Sequence, residues 1–312
     1  MLKNYLKIAS RNIIAHKGHS AINIIGLAIG MAACILLFLW VQDELSYDRY
    51  HQEADRIYRV AQQDDYQGKL DQVASTPAAL APALVSEYPW IEKAIRLVIH
   101  KFTIYVGDNG FSEDILLTDP GIFQVFDFPL ISGSPETVLK EPSSILISED
   151  MRDKYFGSDN PVGEIITLEE WGDYKITGVF KNIPQNSHFR FHFMGSLHLP
   201  ADYKKQWGMS NYYTYILGEK EALIAVLDET MPQFVEKYRG KELWSKYKLR
   251  YFLQPLTSIH LHSNLKNEIA PNRDIKTVYI FSAIAFFILL IACLNYINLA
   301  TARFTNRARE VG

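Results

Sequence analysis

Cysteine is scarce in this sequence, and the two present are badly placed to brace a domain. Cys34 and Cys293 both sit inside long apolar runs, so the stretch 43–276 between the runs holds no disulfide and must rest on its own hydrophobic core. A surplus of charge is missing too. The net charge of −3 leaves no electrostatic case for a nucleic-acid partner. Signatures of chemistry are absent as well: there is no G-x-S-x-G elbow, no H-E-x-x-H and no phosphate loop of the G-x-x-x-x-G-K-[ST] kind. A membrane-anchored hydrolase therefore lacks its nucleophile constellation, and no residue is assigned a catalytic or cofactor-binding role. The chain has no means of hydrolysing ATP through a phosphate loop, so any ATP must be held by a partner. Internal repeats and low-complexity linkers are also lacking.

What the sequence has in abundance is uninterrupted apolar residues. Ser20–Gln42 carries no charge between Lys17 and Asp43, and Thr277–Ala302 carries none between Lys276 and Arg303. About 20 apolar residues cross the hydrocarbon layer, so both runs predict transmembrane helices. A cleaved signal peptide fits the first run poorly. Its apolar stretch is too long for a signal core, and it ends in Phe-Leu-Trp-Val-Gln-Asp-Glu rather than in small residues. Orientation follows from the flanking charge. Lys3, Lys7, Arg11 and Lys17 precede the first run without an acid, Asp43, Glu44 and Asp48 follow it against Arg49, and Arg303, Arg307 and Arg309 follow the second against Glu310. Because Lys and Arg are retained on the cytoplasmic side, both ends are expected in the cytoplasm and residues 43–276 outside.

The pattern predicts a basic amphipathic helix at the membrane surface over residues 2–16, with Leu2, Tyr5, Leu6, Ala9 and Ile13 on one face and Lys3, Lys7 and Arg11 on another. In the outside region, residues 73–96 read as an interrupted helix punctuated by Pro77, Pro82 and Pro89. Strands are expected at 97–106, 145–148, 165–168, 174–179, 189–194, 212–217 and 250–256. Helices are expected at 148–156, with Ser148 as cap, and at 219–238. Strands interleaved with helices give a mixed α+β domain.

His188, Arg190 and His192 alternate with Phe189, Phe191 and Phe193, so a strand would place both histidines on one face. His260 and His262 repeat the spacing. No cysteine or carboxylate nearby completes a set of four ligands, so these read as ordinary exposed strand histidines and no metal site is assigned. Gly26 and Gly30 form a G-x-x-x-G that would let another helix approach the first span closely, although glycine is common in membrane helices.

Around the first run stand RNIIAHKGHSAINIIGLAIGMAACILL, DELSYDRYH and RIYRV; the middle holds YPWIEKAIRL, FQVFDFPLISGSP, SILISEDMRDKYFG, NPVGEIITL and ITGVFKNIPQNSHFRF; the second run carries IACLNYINLATARFTNRAREVG. In this order and spacing, over nearly the whole chain, the sequence resembles the N-terminal part of an ABC-transporter permease of the MacB/FtsX type. The resemblance implies a cytoplasmic amphipathic helix over 1–19, spans at 20–42 and 277–302, and a MacB-like periplasmic core over 43–276. That core would be α+β, with a porter-like part and an inserted lobe within 100–200. Residues 303–312 would begin a coupling segment that continues into further membrane helices beyond Gly312. It also implies transport driven by ATP on a separate cytoplasmic ATPase subunit, with no cofactor in this chain. Arg303, Arg307, Arg309 and Glu310 would belong to the ATPase contact, or would anchor the span at anionic lipid. Further partners would be a second permease half or protomer, membrane lipid, a periplasmic adaptor and an outer-membrane channel. A two-span sensor receptor of the histidine-kinase or chemoreceptor type shares the topology and is the alternative.

Overall fold

The structure, a computed structural model, describes residues 17–107, 109–157 and 159–311. The amphipathic helix expected over 2–16 lies outside them. In chain order the elements are α1 (Lys17–Leu45), β1 (Ile57–Tyr66), β2 (Lys69–Val73), α2 (Leu80–Glu87), β3 (Ile91–Val106), β4 (Asn109–Thr118), β5 (Leu130–Ser132), β6 (Ser144–Ser148) and α3 (Glu149–Phe156). They continue with β7 (Ile165–Leu168), β8 (Gly172–Phe180), β9 (Phe193–Ser196), α4 (Ala201–Lys204), β10 (Tyr213–Gly218), α5 (Lys220–Arg239), α6 (Lys241–Tyr247), β11 (Arg250–Pro255), α7 (Ile259–His262) and α8 (Ile275–Val311). Two compact units result, a helical one from the terminal segments and a mixed one over Tyr47–Arg273.

In the helical unit, Ile24–Leu45 and Ile275–Ile297 are long and apolar enough to cross a membrane. Their large side chains stay on the surface. Ile25, Leu36 and Phe38 on α1 and Tyr279, Phe286 and Ile291 on α8 are all more than half exposed. A soluble protein would bury such a continuous apolar face, whereas a lipid-facing helix presents it outward while satisfying its backbone internally. The two helices hold each other through the edge-to-face rings of Trp40 and Phe281, 4.8 Å apart, and through the Cys34 thiol, which donates to the Ala285 carbonyl at 3.7 Å.

The mixed unit contains two sub-structures that share β3. The first has strand order β11-β1-β10-β3, every pair antiparallel, with α2 between β1 and β3 and α5 with α6 between β10 and β11. This is the β-α-β-β-α-β arrangement, and it forms the porter-like half. A period of two sends Tyr58, Val60 and Ile216 to a core with Leu84 of α2 and Phe234 of α5, and sends Ile57, Tyr215 and Leu217 to a second core rich in phenylalanine.

The chain between β3 and β10 builds the inserted lobe. Pairing runs β3-β4-β9-β6-β8-β7 and returns to β3 through Ile104–Leu168 and Tyr105–Thr167, so six strands close a barrel. Phe102, Ile104, Ile115, Ile147, Ile166, Ile176 and Phe193 fill its interior, and Met151, Tyr155 and Phe156 of α3 pack against them. The Ser148 hydroxyl caps α3 by accepting from the Met151 N–H. Gly178 on β8 sits where strands crowd: a Cβ there would lie 2.7 Å from the Ser132 carbonyl oxygen.

Two expectations fail. Of residues 73–96, only Leu80–Glu87 is helical, and Ile91 opens the long strand β3. Pro89 ends the helix early, and the alternation Ile95, Leu97 against Val98, Phe102 is satisfied by cores on opposite faces. The strand expected at 189–194 shortens to Phe193–Ser196.

Candidate functional site

Of the two glycines expected to pack helices, Gly30 meets the partner helix: a Cβ there would lie 3.7 Å from the Ala292 Cβ and 3.8 Å from the Ile288 Cγ2. At Gly26 nothing lies within 4 Å, and both glycines line a groove of about 460 Å3 that also touches Ile291 and Asn295. The helix backbone runs through Arg303, Arg307, Arg309 and Glu310. Their side chains lie outside the described residues.

The mixed unit contains a polar site that sequence spacing did not reveal. Asp48 stands just after α1 with a left-handed backbone (φ 57), which a short polar side chain tolerates. Its N–H donates to the Asn186 carbonyl at 2.8 Å. The buried carboxylate accepts at Oδ1 from the Ser187 hydroxyl and the His188 N–H, each at 3.0 Å, while Oδ2 lies 2.9 Å from His188 Nδ1 in an ion pair angled off the N–H axis. On its other side, His188 Nε2 is 2.7 Å from the Tyr215 hydroxyl at the centre of the porter-like sheet. Since Ser187 gives its one proton to Asp48, the Tyr50 hydroxyl, 3.0 Å away, is the donor to Ser187 Oγ.

His51 extends the network. Its Nδ1 accepts from the Asp127 N–H at 3.0 Å, so a neutral ring carries its proton on Nε2, which is buried without a hydrogen-bond partner. Asp127 Oδ2 in turn accepts from the Gln52 N–H at 2.6 Å. Phe126 and Phe128 flank the imidazole at 5.0 and 5.7 Å between ring centroids, and with Phe189 they contact one another at 4.9–5.8 Å.

Burial acts on each acid and base here. It pushes the Asp48 carboxyl up, but the charge of His188 and the hydrogen bonds from His188 and Ser187 outweigh it and hold the group below the usual carboxylate range. Burial pushes His51 down to about 3, with Asp48 opposing and His188 adding to the effect. Tyr50 and Tyr215 are both pushed up by burial.

An Asp–His–Tyr relay has the connectivity of a nucleophile with its base and orienting acid. Here it leads nowhere chemically, because Tyr215 is fully buried among Phe126, Phe189 and His188 and presents no oxygen to a substrate.

A second buried network ties the segment that leads into α8. The Arg59 guanidinium on β1, wholly buried, donates to Glu268 Oε2 at 2.5 Å, Glu268 Oε1 at 3.1 Å, Gln254 Oε1 at 2.6 Å and Ser263 Oγ at 2.9 Å. Burial raises the Glu268 carboxyl, yet bonding and charge from Arg59, with Ser263 and the Leu265 N–H, bring it below its ordinary value. Nearby, the rings of Tyr47 and His260 stack at 3.4 Å.

The histidine expectation is corrected by these facts. His188 is buried and ion-paired, not an exposed strand residue, and residues 188–192 run outside any strand. Of that pair only His192 is exposed, 3.1 Å from the Ser148 hydroxyl. His260 and His262 lie on the short helix α7, where two-residue spacing does not define a shared face. Among the described residues no group of three or more His, Cys, Asp or Glu is placed to hold a metal ion.

Fold and site together define a membrane protein whose apolar helices bracket a mixed α+β unit. The family model of the MacB-like periplasmic core domain matches residues 20–231, so the chain belongs to that family, the permeases of MacB/FtsX-type ABC transporters. It is accordingly an inner-membrane protein with a periplasmic domain, in a family whose ATPase is a separate subunit. Among solved structures, a domain attributed to a permease of Porphyromonas gingivalis is 24% identical with TM-score 0.59, over 66% of this chain and 91% of that one. The periplasmic region of MacB from Actinobacillus actinomycetemcomitans is 12% identical with TM-score 0.44, over 64% and 90%. The extracellular domain of the noncanonic ABC-type transporter YknZ from Gram-positive bacteria is 14% identical with TM-score 0.43, over 63% and 99%. At such identities the likeness speaks to the fold alone. No curated protein matches the chain.

Proposed function

We propose that this permease transmits the ATP-driven motion of a separate cytoplasmic ATPase to its periplasmic unit, where the work of efflux or extraction is done. One observation carries the reading: both points at which the chain enters and leaves Tyr47–Arg273 are fixed by buried charged networks, Asp48 with His188 and Glu268 with Arg59. A tether passing only a soluble domain to its place would need neither. The spans are assigned to 20–42 and 277–302, residues 1–19 and 303–312 to the cytoplasmic side, and 43–276 to the outside, on the charge rule. Arg303, Arg307, Arg309 and Glu310 then lie where an ATPase docks, and a second permease half or protomer packs on the groove at Gly26 and Gly30. A periplasmic adaptor and an outer-membrane channel would complete the path.

Two measurements test this. Single cysteines at Gln67 and Asn306, in a background lacking Cys34 and Cys293, are treated with an impermeant thiol reagent in cells with a permeabilised outer membrane. Labelling at 67 and protection at 306 are expected, and the reverse overturns the topology. Reversing the charges of Arg307 and Glu310 in the full-length complex is expected to weaken ATPase association and transport at normal membrane levels. Unchanged association and activity would leave these residues only a lipid-anchoring role.

A further inference from the structure

Three stretches far apart in sequence, DELSYDRYH, FQVFDFPL and NIPQNSHFRF, converge on the buried network around Asp48. The last two belong to the inserted lobe. Asp48 takes its backbone partner from Asn186 and its side-chain partners from Ser187 and His188, in the loop between β8 and β9. His51 and Gln52 hold Asp127, in the loop between β4 and β5. The entering segment is therefore fastened chiefly to the inserted lobe, and it touches the porter-like side through the His188–Tyr215 contact and the Tyr47–His260 ring stack. The returning segment is fastened elsewhere. Glu268 is held by Arg59 of β1, which also grips Gln254 of β11, both in the porter-like half.

We propose that the two networks are separate drive points, Asp48 passing displacement of the first helix to the inserted lobe and Glu268 passing that of the second to the porter-like half. A change in offset between the helices then becomes a displacement between the two lobes. This rests on the transmission role proposed above and specifies its route. The geometry supports it in two respects. Asp48 follows the last residue of α1, Leu45, by three positions, and three residues extend over only ~10 Å, so the link takes up little displacement before it pulls. The fastening is multiple and buried, through Asn186, Ser187 and His188 together. Asp48 and Glu268 are positioning residues and touch no substrate.

The test uses the full-length permease with its ATPase in nanodiscs. Spin labels go on cysteines replacing exposed Glu169, in the turn between β7 and β8, and exposed Glu236 on α5, with Cys34 and Cys293 changed to Ala. In the parent protein the interlabel distance is expected to change on ATP binding. In Asp48→Asn that change is expected to fall by at least half. Leu84→Ala, a buried residue of α2 that belongs to neither network, serves as the control: it lowers the melting temperature but should keep the full change. Where Asp48→Asn does not fold, Ser187→Ala removes one donor to Asp48, spares the His188 pair and should give a smaller loss. A full distance change in the folded Asp48 or Ser187 variant, or an equal loss in Leu84→Ala, overturns the proposal. No ATP-dependent change in the parent protein would instead remove the transmission role itself.

Discussion

Replacing His188 by Ala isolates the energetic weight of the Asp48 network. His188 and Asp48 are both buried, so the substitution strands a desolvated carboxylate and a fully buried tyrosine hydroxyl in one step. The Ser187 hydroxyl and the residue 188 N–H still bind Oδ1, so part of the charge stays solvated by the protein. Removing one partner of a buried pair typically costs about 3–5 kcal/mol. In a unit of this size each kcal/mol moves the melting midpoint by roughly 2–4 °C, giving an expected drop of roughly 6–20 °C. The assay is a thermal melt of the purified chain in detergent, read in the near-ultraviolet circular dichroism where the Phe and Tyr cluster reports. His192→Ala is the internal comparison, and as an exposed residue with one contact it should cost about 1 kcal/mol or less. Equal, small effects of the two substitutions would refute the buried pairing and restore the picture of two exposed histidines.

Other consequences follow from the same structure. His51, neutral when folded with its pKa pushed down to about 3 from 6.5, leaves the unfolded chain binding the extra proton between those values. Stability should therefore decline as pH falls below 6.5, by up to about 1.4 kcal/mol per unit from this group, and His51→Asn should flatten that slope in denaturant titrations against pH. Asp48, held below its ordinary value, adds a loss only at lower pH still, as pH falls through its folded pKa. Gly30→Ala should be nearly neutral because its Cβ meets Ala292 and Ile288 at ordinary contact distance, whereas Gly30→Leu should wedge the helices apart at about 1–3 kcal/mol in an SDS unfolding titration. Gly178→Val has to displace the Ser132 carbonyl and should cost about 1–3 kcal/mol in the melt of the periplasmic unit.

The legible parts of this protein were those encoded locally. The apolar runs sit within α1 and α8 because lipid imposes a length, and α3 begins one residue after Ser148 because its cap is a side chain of the same turn. Strands β6, β7, β8 and β11 follow from dense β-branched and aromatic stretches. By contrast β4, which carries FSEDILLT, hides its outer half in polar residues that face solvent. The parity rule failed at His188 because it presumes a strand: Phe189, Phe191 and Phe193 are all buried, but residues 188–192 lie outside any strand, so the side opposite the phenylalanines need not face water. Nothing in local spacing joins Asp48 to a residue 140 positions away. The one available signal was the composition of DELSYDRYH and QNSHFRF, where polar and aromatic residues cluster without any local structure that requires them.

Hydrogen exchange across residues 47–273 tests transmission most directly, measured in the full-length permease with its ATPase in liposomes, with ATP supplied only to the cytoplasmic face. ATP binding is expected to change protection at the Asp48 and Glu268 segments and at the β3 strand shared by the two lobes, although the nucleotide never reaches that side. ATP hydrolysis proceeding with exchange throughout 47–273 unaltered would contradict the account.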